Sequence, residues 1–423
     1  MNIESIYAKA RIRIVPLLII MSAICYIDRV NVSFAQLQMQ NALKFSDLVY
    51  ATGAGIFFWG YLIFEIPSNI FLKKVGAKVW FTRIMITWGI ATMALAFVKT
   101  PMQFYLVRFF IGLAEAGFYP GVIFYLNLWF EDKEIIKATS IFYLSIPIAG
   151  IVGGPIAGFI FAYMEGVLNL MSWQYLFIVE GSLPVIAAIL IIYLLPAIPS
   201  KVKWLTSEEK EYLSKTLNVE KKIHSKTDFS KILSLEVIVF TIAVFMQGAG
   251  IFTIFFWLPQ FLKSIGISSN TKISLCTSII WIVVGAAIIL VGRSSTYFRE
   301  RRWHISFFGV LCFLAYLVLY FGSNPVLEFI MITIAVVGNY AVLTLVWGSV
   351  GGFMEAASMA VMIAFINSVG NLSGYFSPLL VAWIKDSSGD IKLSLLIVGG
   401  CALLIEVFVI QFLKWDKPSL HNS

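Results

Sequence analysis

Asp28 and Arg29 stand side by side inside an apolar stretch that runs from about residue 14 to residue 39. At the centre of a bilayer each costs about 2.5 to 3.5 kcal/mol to insert, so the two must face protein or a water-filled cavity. Intramembrane ionisable groups serve proton relays and sites for charged substrates. The other use of such a pair is an ion pair that fixes helix packing, with Asp28 as the neighbouring counter-charge of Arg29. A second polar set is Arg108, Gly112, Glu115 and Tyr119, whose offsets of four and seven residues put all four on one helical face. Burial favours the neutral form of a carboxyl and a nearby guanidinium favours the charged form, so a site holding both switches protonation when the guanidinium changes partner. Asp28 and Glu115 are therefore the candidate proton carriers. Arg29 and Arg108 would be shared between these acids and an anionic substrate, whose carboxylate a planar guanidinium grips in two bonds. For Glu115 the alternative is a structural partner of Arg108. Tyr26 and Tyr61 are candidate hydrogen-bond donors to the same carboxylate, or else packing aromatics. Glu65, one turn from Tyr61, is a candidate gating group or third protonatable group, and Glu180 has no partner in the sequence pattern.

The elements that must position these residues are membrane helices. With 60% hydrophobic and 13% charged residues the chain lies far from soluble proteins, where charged residues make up about 25%. Apolar runs long enough to span recur around 14–39, 48–72, 79–98, 103–130, 138–163 and 172–195. A second series follows at 233–263, 271–296, 304–322, 326–353, 357–384 and 391–413. That predicts twelve transmembrane helices. The first run continues past Asp28 and Arg29 without a small-residue cleavage site and is read as retained rather than as a signal peptide. Most of the 31 Lys and Arg fall on the connections that share a side with the N-terminus. The opposite side holds only Lys44, Lys99, Lys263, Lys272, Lys385 and Lys392. The positive-inside rule then puts both termini in the cytoplasm. The net charge of +8 is thus membrane topology and not a nucleic-acid surface. Four isolated Cys form no metal or disulfide framework.

One long hydrophilic connection, 197–230, divides the chain into residues 1–196, expected to carry proton coupling, and 231–423, expected to carry substrate selectivity. Within it Thr206 to Leu217 reads as a short amphipathic helix opened by a Thr206-x-x-Glu209 capping box. The halves echo each other. Basic turns follow the second helix (69–83) and the eighth (292–304). The fifth helix carries Pro147, Gly150, Gly153, Gly154, Pro155 and Gly158, the eleventh Gly370, Gly374 and Pro378. Small residues and prolines at matching positions of two halves point to moving helices around a midplane site.

These features resemble the major facilitator superfamily. The finer marks are similar to its anion:cation symporter family: Tyr26-Ile27-Asp28-Arg29-Val30-Asn31, Gly60-Tyr61 through Glu65-Ile66-Pro67-Ser68-Asn69, Arg108-x6-Glu115, Phe256-Trp257-Leu258-Pro259, Glu300-Arg301-Arg302-Trp303-His304 and Asn367-Ser368-x-Gly370-Asn371. Lys73, Ser295-Thr296-Tyr297, Val350 and Phe252 depart from the family pattern. The resemblance implies two pseudo-symmetric six-helix bundles and the same coupling roles for Asp28, Arg29, Arg108 and Glu115. It also implies a bacterial inner-membrane permease, working as a monomer without cofactor or metal, for tartrate, phthalate or hydroxyphenylacetate. Sugar acids such as galactonate or glucarate are the alternative substrates.

Glu406 is the one ionisable residue deep in the second series of spans. Its neutral inventory, Gln247, Asn339, Asn367 and Asn371 with Trp257, Trp281, Tyr340 and Trp347, suits the uncharged part of a substrate, and Gln247, Asn367 and Asn371 are the candidate contacts. The chain lacks the nucleophile-and-base pattern of an enzyme. It also lacks the charge rings of a channel and an extramembrane domain through which a sensor could signal. The expectation is a secondary transporter importing a small organic anion with protons by alternating access.

Overall fold

The computed structural model describes residues 3–217, 234–349 and 359–411, and among them there are helices and no strand. The first half holds α1 (Ile3–Leu43), α2 (Asp47–Val75), α3 (Ala77–Ala94), α4 (Pro101–Glu115), α5 (Phe118–Asn127), α6 (Asp132–Phe142), α7 (Ser145–Tyr163) and α8 (Ser172–Leu194). After α9 (Ser207–Leu217) come α10 (Leu235–Ser264), α11 (Asn270–Tyr297), α12 (Arg302–Phe321), α13 (Pro325–Ser349), α14 (Met359–Asn371), α15 (Ser373–Ser388), α16 (Ile391–Ser394) and α17 (Ala402–Ile410), the last two joined by a π-helical turn at Leu395–Cys401.

Among the described residues eleven helical stretches are long and apolar enough to cross a membrane. They match eleven of the twelve expected runs. The run expected unbroken over 357–384 is instead divided, because α14 ends at Asn371 and α15 begins at Ser373. At the division the Leu372 N–H bonds the Val369 carbonyl at 3.1 Å, and the Ser373 hydroxyl takes the Gly370 carbonyl at 2.6 Å. A side-chain hydroxyl that occupies a helix carbonyl competes with the backbone ladder. Pro378 removes a further donor one turn on. Val350 lies outside the described residues.

The chain forms two compact units, one of residues 1–31, 59–153 and 163–226, the other of 32–58, 154–162 and 227–423. They do not coincide with the halves drawn at 197–230, because 32–58 and 154–162 group with the second series of helices. In the first unit α3 runs along α8. Their backbones touch at two glycines, where a Cβ on Gly89 would stand 2.6 Å from the Gly181 carbonyl. Also in this unit, the Thr206 hydroxyl accepts from the Glu209 N–H at 3.2 Å and the Glu209 carboxylate from the Thr206 N–H at 2.9 Å, closing the capping box of α9. Lys9 clamps this helix to α1 through Glu209 at 2.7 Å. In the second unit α10 is surrounded by α14, α15 and α17, while α12 packs along α13. Outward faces such as Ile63, Ile66, Phe110, Leu190 and Phe307 are exposed and apolar, as a lipid solvent requires.

Candidate functional site

The fourth span carries its break where the chemistry is. Its first helix opens with a capping box, Thr100 and Gln103, and ends at Glu115. Ala116 is extended and Gly117 takes a left-handed φ of 81°. A side chain at Gly117 would also run into Ser68. The same Ser68 hydroxyl donates to the freed Ala116 carbonyl at 2.6 Å and accepts from the Trp80 indole at 2.9 Å, so the break is satisfied rather than orphaned. The interruption corrects the expected single face. Arg108, Gly112 and Glu115 share α4, whereas Tyr119 belongs to α5 and approaches separately. There its hydroxyl meets Ser22 at 3.0 Å, and Ser22 meets Ser145 at 2.7 Å.

Glu115 is fully buried and holds Arg29. Arg29 Nε donates to Glu115 Oε1 at 2.8 Å and Nη2 donates to the same oxygen. The Cys25 thiol, one turn before Arg29, donates to that oxygen too at 2.9 Å, while Oε2 has no hydrogen-bond partner. Three tyrosine rings surround the guanidinium carbon, Tyr119 at 5.5 Å, Tyr61 at 5.6 Å and Tyr26 at 5.8 Å, distances at which ring faces attract a cation. Tyr26 in turn packs on Tyr119 with ring centres 5.7 Å apart.

Asp28 turns the other way. Its Oδ2 accepts from the Trp88 indole at 2.6 Å and from the Thr92 hydroxyl at 3.0 Å, both on α3, and its Oδ1 has no hydrogen-bond partner. Successive side chains of a helix diverge by about 100°, so adjacent residues at the centre of α1 serve different neighbours. The expectation that Asp28 is the counter-charge of Arg29 is thereby corrected: Arg29 is held by Glu115. The reading of Glu115 as a structural partner of Arg108 is likewise replaced by its pairing with Arg29. Arg108 is 2% exposed, and its charge bears on Asp28. Asp28, Arg29, Arg108, Glu115, Tyr26 and Tyr61 thus belong to one unit, with Glu65 buried one turn from Tyr61 and bearing on it electrostatically.

The remaining candidates belong to the other unit. Gln247 on α10 is buried, and its amide donates to the Asn339 carbonyl at 3.5 Å. Asn367 and Asn371 are half-buried on α14. Trp257 and Trp281 pack edge-on against Tyr50 and Tyr340.

Several residues in contact with this chemistry escaped the sequence reading. Cys25, Trp88 and Thr92 each touch a carboxylate. Trp88 and Thr92, spaced i, i+4 in an apolar span, were a legible signal. A second cluster left none: Asp47 takes Lys385 at 2.5 Å, Gln40 at 2.9 Å and Gln260 at 3.3 Å. Asp47 and Lys385 are 338 positions apart, and all four look like ordinary helix-end polar residues.

Outside the spans, the carboxylates of Glu209 and Glu300 are among those held below the usual range. Lys9 does this for Glu209, helped by the Thr206 N–H. For Glu300 the hydrogen bonds from His304 and from the Trp303 and His304 N–H groups outweigh the opposing effect of burial.

Comparison with known proteins gives four findings. The sequence profile described as Major Facilitator Superfamily matches residues 18–418. A protein of Agrobacterium vitis named "Putative tartrate transporter" is 37% identical over 416 residues, which are 97% of this chain and 95% of that protein. A "Quinolone resistance transporter" of Acinetobacter baumannii is 35% identical over 419 residues, 97% of this chain and 96% of its own length. Among solved structures, the partially occluded inward open conformation of the xylose transporter XylE from Escherichia coli superposes with a TM-score of 0.76 at 15% identity. That match covers 96% of this chain and 98% of XylE.

Proposed function

Because this chain belongs to the major facilitator superfamily, we propose that it is a secondary transporter that imports a small organic anion together with protons. The buried pair of Arg29 and Glu115 carries the reading. Arg29 is the group a substrate carboxylate would seek, and it is already occupied by a protein carboxylate. A substrate that takes the guanidinium leaves Glu115 buried without its counter-charge, and a buried unpaired carboxylate is so costly that it takes up a proton. Anion and proton then load together. Import of an anion against a negative interior is opposed by about 2.3 kcal/mol per charge per 100 mV, and co-bound protons offset that cost. With Asp28 as the second carrier, two protons would accompany each anion, making import of a dicarboxylate electroneutral. The basic residues on the N-terminal side put both termini in the cytoplasm.

The tartrate transporter relative favours a hydroxy-dicarboxylate, and sugar acids of the galactonate or glucarate kind are the second reading within the same class. Tyr26, Tyr61 and Arg108 would hold the carboxylate, while Gln247, Asn367 and Asn371 would contact the neutral part. Uptake of labelled hydroxy acids, sugar acids and aromatic acids into proteoliposomes under an imposed pH gradient tests the reading. Accumulation of an acid is the expected result. Transport of a quinolone with no acid accumulation would overturn it in favour of the transport named for the quinolone relative. Glu115→Gln should then lose accumulation yet keep exchange of internal for external substrate, since exchange requires no proton release. If it still accumulates substrate, Glu115 is not an essential carrier, and Glu65 is the next residue to test.

A further inference from the structure

One buried acid of the first unit has no part in the scheme above. Glu180 sits on α8, is 1% exposed, and neither of its carboxyl oxygens has a hydrogen-bond partner. The next residue is Gly181, whose carbonyl lies against Gly89 on α3. Beside Gly89 stand Trp88 and, one turn on, Thr92, the two donors to Asp28 Oδ2. The backbone contact of α3 with α8 therefore packs the turn that carries Glu180 against the turn that carries Trp88 and Thr92, and Asp28 is the charge that bears on Glu180. Asp28 has one oxygen, Oδ1, without a hydrogen-bond partner, and Glu180 has two. The other charged groups bearing on Asp28 are Glu115 and Arg108 on α4. On α3 the nearest cation, Arg83, lies toward the opposite end with its guanidinium 3.9 Å from the Trp80 ring centre.

Two carboxyl groups in one poorly solvated place cannot both carry charge without a cation between them. Asp28 has the donors and the nearby Arg108 that stabilise an anion, whereas Glu180 has neither. Their environments are therefore unequal, which is how adjacent acids come to divide a proton between holder and donor. We propose that Glu180 is a further proton-binding site that supplies Asp28. Since these oxygens are not hydrogen-bonded to each other, the proton passes by way of a water admitted when the site opens: the Glu180 O–H bond breaks, the water takes that proton and gives one of its own to Asp28 Oδ1, and the charge of the pair is unchanged. Glu180 is recharged from water at the next opening of the site. This deepens the proton-coupled reading and rests on it.

The test is Glu180→Gln in proteoliposomes, beside the wild-type protein, with counterflow and pH-driven accumulation read on the same preparation. Counterflow is expected within twofold of wild type. Accumulation is expected to fall by about tenfold per unit of imposed pH gradient, the equivalent of one coupled proton. Unchanged accumulation overturns the assignment, as does loss of counterflow in the same proportion, which marks a packing role. If the Gln variant does not reach the bilayer, Glu180→Asp keeps the carboxyl but shortens its reach. Its accumulation should then show a shifted pH midpoint, and a wild-type pH profile would overturn the proposal. Should the wild-type protein itself show counterflow but no pH-driven accumulation, proton coupling fails as a whole and this site with it.

Discussion

Glu115 and Asp28 in the first unit and Glu406 in the second are buried in opposite ways. In the first, Glu115 is tied through one oxygen to Arg29 and Cys25, and Asp28 to Trp88 and Thr92. In the second, Glu406 on α17 is equally buried, and neither of its oxygens has a hydrogen-bond partner among the described residues. Its neighbourhood is neutral. Asn339 donates to Cys312 at 3.2 Å and to the Ala335 carbonyl at 3.0 Å, and the Cys312 thiol donates to that same carbonyl at 3.1 Å. A cross-helix ion pair makes each partner dependent on the other, so a ligand that takes one partner changes the state of both. An acid among amides and thiols offers no such lever. The contrast gives Glu115 and Asp28, and not Glu406, partners through which a bound ligand changes their charge.

A large effect on uptake is expected from removing the shape of one group while keeping its charge. Arg29→Lys cannot reproduce two donors on one oxygen inside a ring of tyrosines. Loss of a charged hydrogen bond of about 1.5 to 3 kcal/mol should cut uptake by roughly ten- to hundredfold at matched protein level. Near-normal uptake would mean that Arg29 acts only through its charge, and the comparison would lose its first term.

Stability sharpens the same contrast. Glu115→Leu strands the Arg29 guanidinium and should cost about 3 to 5 kcal/mol, read as a lower melting temperature in detergent. Glu406→Leu removes a buried polar group that has no partner to strand, and should hold or raise the melting temperature. Equal losses in the two variants would break the distinction drawn between the two acids. At Asp28 the expected ranking follows from the geometry: Asp28→Asn leaves Arg29 paired with Glu115, so its melting temperature should stay above that of Glu115→Leu.

The smallest effect lies outside the membrane, where a charge pair is half in water. Lys9 holds the Glu209 carboxyl below its ordinary value. The stabilisation this supplies to α9 is full above the ordinary carboxylate pKa of about 4.3 and disappears as pH falls through the lowered value. Hydrogen-exchange protection over Ser207–Leu217, taken relative to the intrinsic exchange rate at each pH, should therefore fall only in acid, and Glu209→Gln should lower it at neutral pH and abolish the acid dependence. Protection that changes between pH 6 and 8 instead would point to a different group.

Much of the fold was legible because a bilayer imposes a simple rule: every spanning backbone must satisfy itself, so apolar length alone marks a helix. Eleven runs were found that way, as were the capping box at Thr206 and the candidate carboxylates and guanidiniums, which stand out because their cost in lipid demands a reason. Where those runs break was not legible. The interruption after Glu115 depends on Gly117 meeting Ser68, and that at Leu372 on a hydroxyl choosing the Gly370 carbonyl; both are contacts, not patterns. Pairing was hidden for the same reason. The sequence puts Asp28 next to Arg29, and only the packed helices decide that Asp28 turns to Trp88 while Arg29 turns to Glu115, because neighbours on a helix point apart and the partner is whatever helix lies on each side. Residue types set which chemistry was possible, and tertiary structure chose who exchanges charge with whom.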